Sequence, residues 1–168
     1  MTNSETKTMD NHARRNIIVG VVIAVMTLVM DQVIKVMVEA ELPYGQAVEV
    51  LPFFALYYTF NTGIAFSFLN DLSPGALLAL AGGVVAIMLA LWWQARHEGL
   101  VASVGYGLIL GGAIGNMIDR AAHGHVIDYV LLYAGQYSFA IFNLADAALT
   151  VGVGLIILTS FFQIKKAD

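Results

Sequence analysis

The chain has 168 residues, 59% of them hydrophobic and 12% charged, and its mean hydropathy of +0.77 lies outside the balance of a soluble domain. A formal net charge of -4 with eight Lys and Arg excludes a basic face large enough for nucleic acid. The absence of cysteine removes thiol nucleophiles, disulfides and thiolate metal ligands, leaving Ser, His, carboxylates and water to do chemistry.

In chain order, the hydrophilic start, Met1 to His12, carries no motif. Arg14 and Arg15 then precede an apolar segment at about 16–38, which is too long for a secretory signal and has no small-x-small cleavage site, so it is expected to be retained. Within the next stretch, about 39–73, alternating and β-branched runs at Gln46 to Leu51 and Phe54 to Phe60, ended by Asn61-Thr62-Gly63, predict short strands closed by a turn. Ser73-Pro74 opens a second span at about 74–93, with the hydroxyl as N-cap and proline at the first helical position. Gln94 to Gly99 separates it from a third at about 100–118, and a further exposed stretch, about 119–141, leads to a fourth at about 142–164. Each span is near the roughly 20 residues that cross a bilayer.

Lys7, Arg14, Arg15, Arg96, Lys165 and Lys166 all flank the same side of these spans. By the positive-inside rule both termini are cytoplasmic, and 39–73 and 119–141 lie outside. These outer stretches hold most of the aromatic residues, among them Tyr44, Phe53, Tyr58, Phe66, Phe68, Tyr129, Tyr137 and Phe139, a composition suited to the headgroup layer. The expected fold is therefore an all-α polytopic membrane protein of one domain, residues 1–168. Its four transmembrane helices carry a small extracytoplasmic β-sheet and an outer-face amphipathic segment.

Four acidic residues, Asp31, Asp119, Asp128 and Asp146, lie in or beside the spans, where a charge costs several kcal/mol and marks a functional site by default. Asp31 measured from Arg15, Asp119 from Gly99 and Asp146 from Lys165 rise about 24, 30 and 28 Å along a helix, so all three reach the outer boundary. Asn116 shares a face with Asp119 and Asn143 with Asp146. The simplest arrangement is one polar cluster at the outer leaflet, joined by Asp128. Asp31 and Lys35, four apart, are expected to form a structural ion pair, and Asp119 and Arg120 a hydrogen-bonding brace. Gly111, Gly112 and Gly115 predict close helix packing. His123 and His125 lack a third strong partner, so no metal or other cofactor is expected.

Five segments in order, Asp31-Gln32-Val33-Ile34-Lys35, Asn61-Thr62-Gly63-Ile64-Ala65-Phe66-Ser67, Gly111-Gly112-Ala113-Ile114-Gly115-Asn116-Met117-Ile118-Asp119-Arg120, Val126-Ile127-Asp128 and Phe142-Asn143-Leu144-Ala145-Asp146, resemble the signature blocks of bacterial lipoprotein signal peptidase, also called signal peptidase II. Ile34 stands where a smaller or polar residue is expected. The resemblance implies an intramembrane aspartic endopeptidase of the bacterial cytoplasmic (inner) membrane, acting near the outer leaflet on diacylglyceryl-modified prolipoproteins and cutting before the lipid-modified cysteine. It places the catalytic pair at Asp128 and Asp146, with Asn61, Gly63, Asn116, Asp119, Arg120 and Asn143 supporting the site or contacting substrate. Membrane lipids are the other expected partner, and the chain is expected to act as a monomer.

The residue chemistry agrees with that implication. Two carboxylates close together share a proton, so that one activates water while the other polarises the scissile carbonyl. A small transporter or proton conductor is the competing class, but the acidic groups gather at one face, with no internal repeat. A lipid-headgroup transferase is the second enzyme alternative. The zinc motif His-Glu-x-x-His and the serine motif Gly-x-Ser-x-Gly are both absent from the sequence.

Overall fold

The structure, a computed structural model, describes residues 3–63 and 73–167. The second half of the Asn61 block, Ile64 to Ser67, and the aromatic Phe68 lie outside the described residues. The elements run α1 (Asn3–Glu41), β1 (Ala47–Leu51), β2 (Phe54–Asn61), α2 (Pro74–Ala95), α3 (Leu100–His123), β3 (Val126–Ala134), β4 (Tyr137–Phe142) and α4 (Leu144–Ala167). All four helices are long and apolar enough to cross a membrane. Their outward faces expose Val25, Val36, Ile87, Ile157 and Phe161, large apolar groups in a density that suits hydrocarbon rather than water.

More than half of the α3 span is buried, against less than a fifth of each of the others, so α3 is the central rod. Its glycines make that possible. A Cβ on Gly111 would sit 2.5 Å from the Ala24 carbonyl of α1, and one on Gly112 would sit 2.5 Å from the Ala145 carbonyl of α4. Gly115 has a more specific neighbour, since its Cβ would come 2.6 Å from Oδ2 of Asp31. α2 joins through Trp92, which donates to Ser103 Oγ at 3.3 Å. Ser73 caps α2 as the sequence predicts, accepting from the Ala76 amide at 3.2 Å.

The four strands form one antiparallel sheet in the order β1-β2-β3-β4. It rests on the C-terminal end of α1 through Val38, Tyr58, Ile127 and Tyr129. The β2–β3 register sets Thr59 opposite Asp128 and Asn61 opposite Val126, so the side chains of Asn61 and Asp128 share one face.

Two sequence expectations change here. α3 runs past the expected boundary at 118 to His123, and Gly124 ends it in the left-handed region at φ 77, its N–H bonding the Arg120 carbonyl. The stretch expected as an outer-face amphipathic segment is the β3–β4 hairpin. Its runs Val126–Ala134 and Tyr137–Phe142 are rich in β-branched and aromatic residues, and Gly135 with φ 58 supplies the two-residue turn that matches strand twist.

Candidate active site

The polar residues form two layers. In the deeper one Lys35 Nζ lies 2.7 Å from Asp31 Oδ2 and 2.7 Å from Asp119 Oδ2, and 3.1 Å from Asn116 Oδ1. The ammonium donates to Asp31 and Asn116 and pairs ionically with Asp119. Gln32 Nε2 donates to Asp119 Oδ1 at 2.9 Å, and Asp31 Oδ1 accepts from the Ala145 amide at 3.1 Å. The Asp31–Lys35 pair is thus part of a triad, whose members are almost wholly buried. Asp119 takes Lys35 as its ionic partner, so the expected brace with Arg120 is replaced. The reason is geometric: α1 and α3 approach closely at Gly115, bringing the two carboxylates to either side of one ammonium.

The shallower layer holds Asp128 and Asp146 through neutral carboxamides. Asn143 Nδ2 donates to Asp128 Oδ1 at 2.8 Å, and Asn61 Nδ2 to Asp128 Oδ2 at 2.9 Å. Asn116 Nδ2 donates to Asp146 Oδ1 at 2.9 Å, while Asn143 Nδ2 also reaches Asn116 Oδ1 at 3.1 Å. The two asparagines therefore form a bridge between the two aspartates. Burial pushes the Asp128 carboxyl up to about 6; repulsion from Asp146 adds to this, against the hydrogen bonds from Asn61 and Asn143.

The start of α4 fixes Asp146. A helix leaves its first amides without internal partners, and here each has one. The Leu144 amide donates to the Tyr129 hydroxyl at 3.0 Å, the Ala145 amide to Asp31 as above, and the Asp146 amide to Asn143 Oδ1 at 3.0 Å. The Ala147 amide reaches the Asn143 carbonyl at 3.2 Å. Asn143 is thus the N-cap of α4 as well as a partner of Asp128, and Asp31 ties the ionic triad to the helix that carries Asp146. Burial raises the Tyr129 hydroxyl to about 12, so it stays protonated.

Arg120 donates to the carbonyls of Gly63 and Asn116. Its Nε is buried and, among the described residues, has no partner. A cleft of about 540 Å³ opens beside these groups, with Asn61, Asn116, Arg120 and Asp146 at its polar end and Ala140, Ile141, Phe142, Leu149 and Val151 along its apolar walls. The His125 ring packs against that of Phe60, with centroids 3.8 Å apart.

All ten residues singled out in the sequence lie in these layers or at Gly63 beside them. Gln32 and Tyr129 are additions. Each stands next to a singled-out aspartate, and adjacency was the one available signal. The tie from Tyr129 to Leu144 depends on how β3 meets α4, which local sequence does not encode.

A family model described as Signal peptidase (SPase) II matches residues 23–162. Lipoprotein signal peptidases of Brucella ovis and Brucella canis are 49% identical over 144 residues, covering 86% of this chain and 90% of each relative. Two solved structures of bacterial membrane enzymes, obtained by the in meso method, also align. One has a TM-score of 0.75 at 29% identity, covering 89% of this chain and 91% of that one. The other has a TM-score of 0.67 at 31% identity, covering 83% and 90%. With the matched region taking in every residue of both polar layers, the chain belongs to the signal peptidase II family.

Proposed function

We propose that the chain, as a single membrane-embedded domain, removes the signal peptide from diacylglyceryl-modified prolipoproteins by aspartic catalysis. Family membership supports the substrate and the bacterial inner membrane. The observation that carries the mechanism is the Asn143–Asn116 bridge that links buried Asp128 to Asp146, which lines the cleft.

In this reading the pair carries one proton, and the apparent pKa values belong to the pair. The ionised member takes a proton from water, and the hydroxide oxygen bonds to the scissile carbonyl carbon. The protonated member gives its proton to the carbonyl oxygen. Collapse of the tetrahedral adduct breaks the C–N bond before the modified cysteine: the member that took the water proton gives it to the leaving nitrogen, the other takes back a proton from the adduct's hydroxyl, and the pair again holds one proton. Amides hold the carboxylates without supplying a compensating charge, which leaves the shared proton free to move. Asn116, Asn143 and Asn61 orient the carboxylates, Asp119 acts through Lys35, and Arg120 with Gly63 borders the substrate path.

The cation distribution supports cytoplasmic termini, with the sheet and the cleft at the outer leaflet. The apolar walls along β4 and the first turns of α4 suit a lipid-anchored substrate arriving sideways, because withdrawing acyl chains costs about 0.8 kcal/mol per CH₂. Both polar layers draw their described residues from one chain, which supports a monomer.

The test is cleavage of a diacylglyceryl-modified prolipoprotein by purified protein. Asp128→Asn and Asp146→Asn are each expected to lose at least about 10³-fold in rate. Near-normal turnover in either variant contradicts the assignment.

A further inference from the structure

β1 and β4 are the two edge strands of the sheet, and they are built differently. β1 carries Glu49 at its centre and is followed by Pro52, features that discourage another strand from adding to it. β4, Tyr137-Ser138-Phe139-Ala140-Ile141-Phe142, has neither charge nor proline. It pairs with β3 on one side, and among the described residues no strand pairs with its other side. Its register with β3 is interrupted near Phe139 but is regular from Ala140 to Phe142. That regular half lines the cleft that holds Asp146.

We propose that the outer edge of β4 receives the first residues after the scissile bond as an added antiparallel strand. The proposal rests on the peptidase reading above and specifies how that site takes its substrate. Direction follows from connectivity. β4 runs from the Gly135 turn toward Asn143 and the start of α4, so it approaches the carboxylates from outside. A substrate whose modified cysteine is anchored at the membrane leads its mature chain the opposite way, outward from the same carboxylates. The two chains are then antiparallel. At about 3.3 Å per residue, the regular half of β4 reaches only the first three or four mature residues.

Main-chain pairing of this kind gives affinity through backbone groups rather than side-chain identity. In an antiparallel pair every second residue of the added strand turns its N–H to the partner, and this gives the test. Lipid-modified prolipoprotein peptides are N-methylated singly at the second, third, fourth or eighth mature residue, and kcat/KM is measured with the full-length protein. Side-chain exchanges between Ala, Ser and Val at the same positions are measured in parallel. The expected result is a fall of roughly ten-fold for one alternate set among the first four positions, with little effect at the eighth and less than about two-fold from the side-chain exchanges. Equal tolerance at every position, or a loss as large at the eighth, overturns the added strand while cleavage of the unmodified peptide still upholds the peptidase reading. No cleavage of the unmodified peptide overturns both.

Discussion

The two polar layers contain the same acid side chain in opposite circumstances. Asp31 and Asp119 face one shared ammonium, whereas Asp128 and Asp146 are held by carboxamides beside a cleft. A cation at 2.7 Å fixes the position of both carboxylates. Neutral donors orient a carboxylate but leave mutual repulsion and burial to raise its proton affinity. On the proposed reading the deep layer is architecture and the shallow layer chemistry, although they lie one helical turn apart on α3.

The most severe way to break this contrast is to remove the cation. Lys35→Met leaves two buried carboxylates unpaired and is expected to destabilise the fold by about 3–5 kcal/mol, seen as loss of monodisperse protein and a lower Tm in detergent. Neutralising the whole triad, Asp31→Asn with Lys35→Met and Asp119→Asn, is expected to restore most of that stability and measurable cleavage, since the carboxamide introduced by Asp31→Asn retains an oxygen for the Ala145 amide. A triple variant that is stable yet inactive would move the deep layer into the chemistry.

A smaller effect is expected at Gly115, where a methyl group would meet the Asp31 carboxylate. Gly115→Ala should cost about 1–3 kcal/mol in thermal unfolding. An unchanged Tm would mean that α1 and α3 separate easily there. The smallest effect is expected from Tyr129→Phe, which deprives the Leu144 amide of its partner. About 1 kcal/mol of stability and a few-fold in kcat should be lost, with KM unaltered. A changed KM alone would place the hydroxyl against substrate instead.

Much of this was legible because intramembrane charge is rare and because signature segments carry their own spacing. Asp31 and Lys35 are local on one helix, and Ser73-Pro74 announced a helix start. The partner of Asp119 was not legible, because adjacent Arg120 is nearer in sequence, and Lys35 wins only through the glycine contact between α1 and α3. The β3–β4 hairpin departs from the amphipathic segment expected there, although Gly135-Gln136 lies between two strand-like runs. The aromatic residues of those runs suit a headgroup layer as well as a sheet, which obscures the strand period. The cap on α4 involves Asp31 and Tyr129, far from Ala145 and Leu144 in sequence, so only the packed structure reveals it.

On the proposed reading the charge of Asp146 raises the proton affinity of Asp128, and following the Asp128 carboxyl with site-specific carbon-13 labelling across pH measures that coupling. The parent should titrate near 6, and removal of the neighbouring charge in Asp146→Asn should move that midpoint downward. Because the folded value lies above the ordinary 3.8, the ionised carboxylate also lowers native stability as pH rises from about 4 to 6, and the same samples should show that slope. A midpoint near 3.8 in the parent, unmoved by Asp146→Asn, would contradict the account.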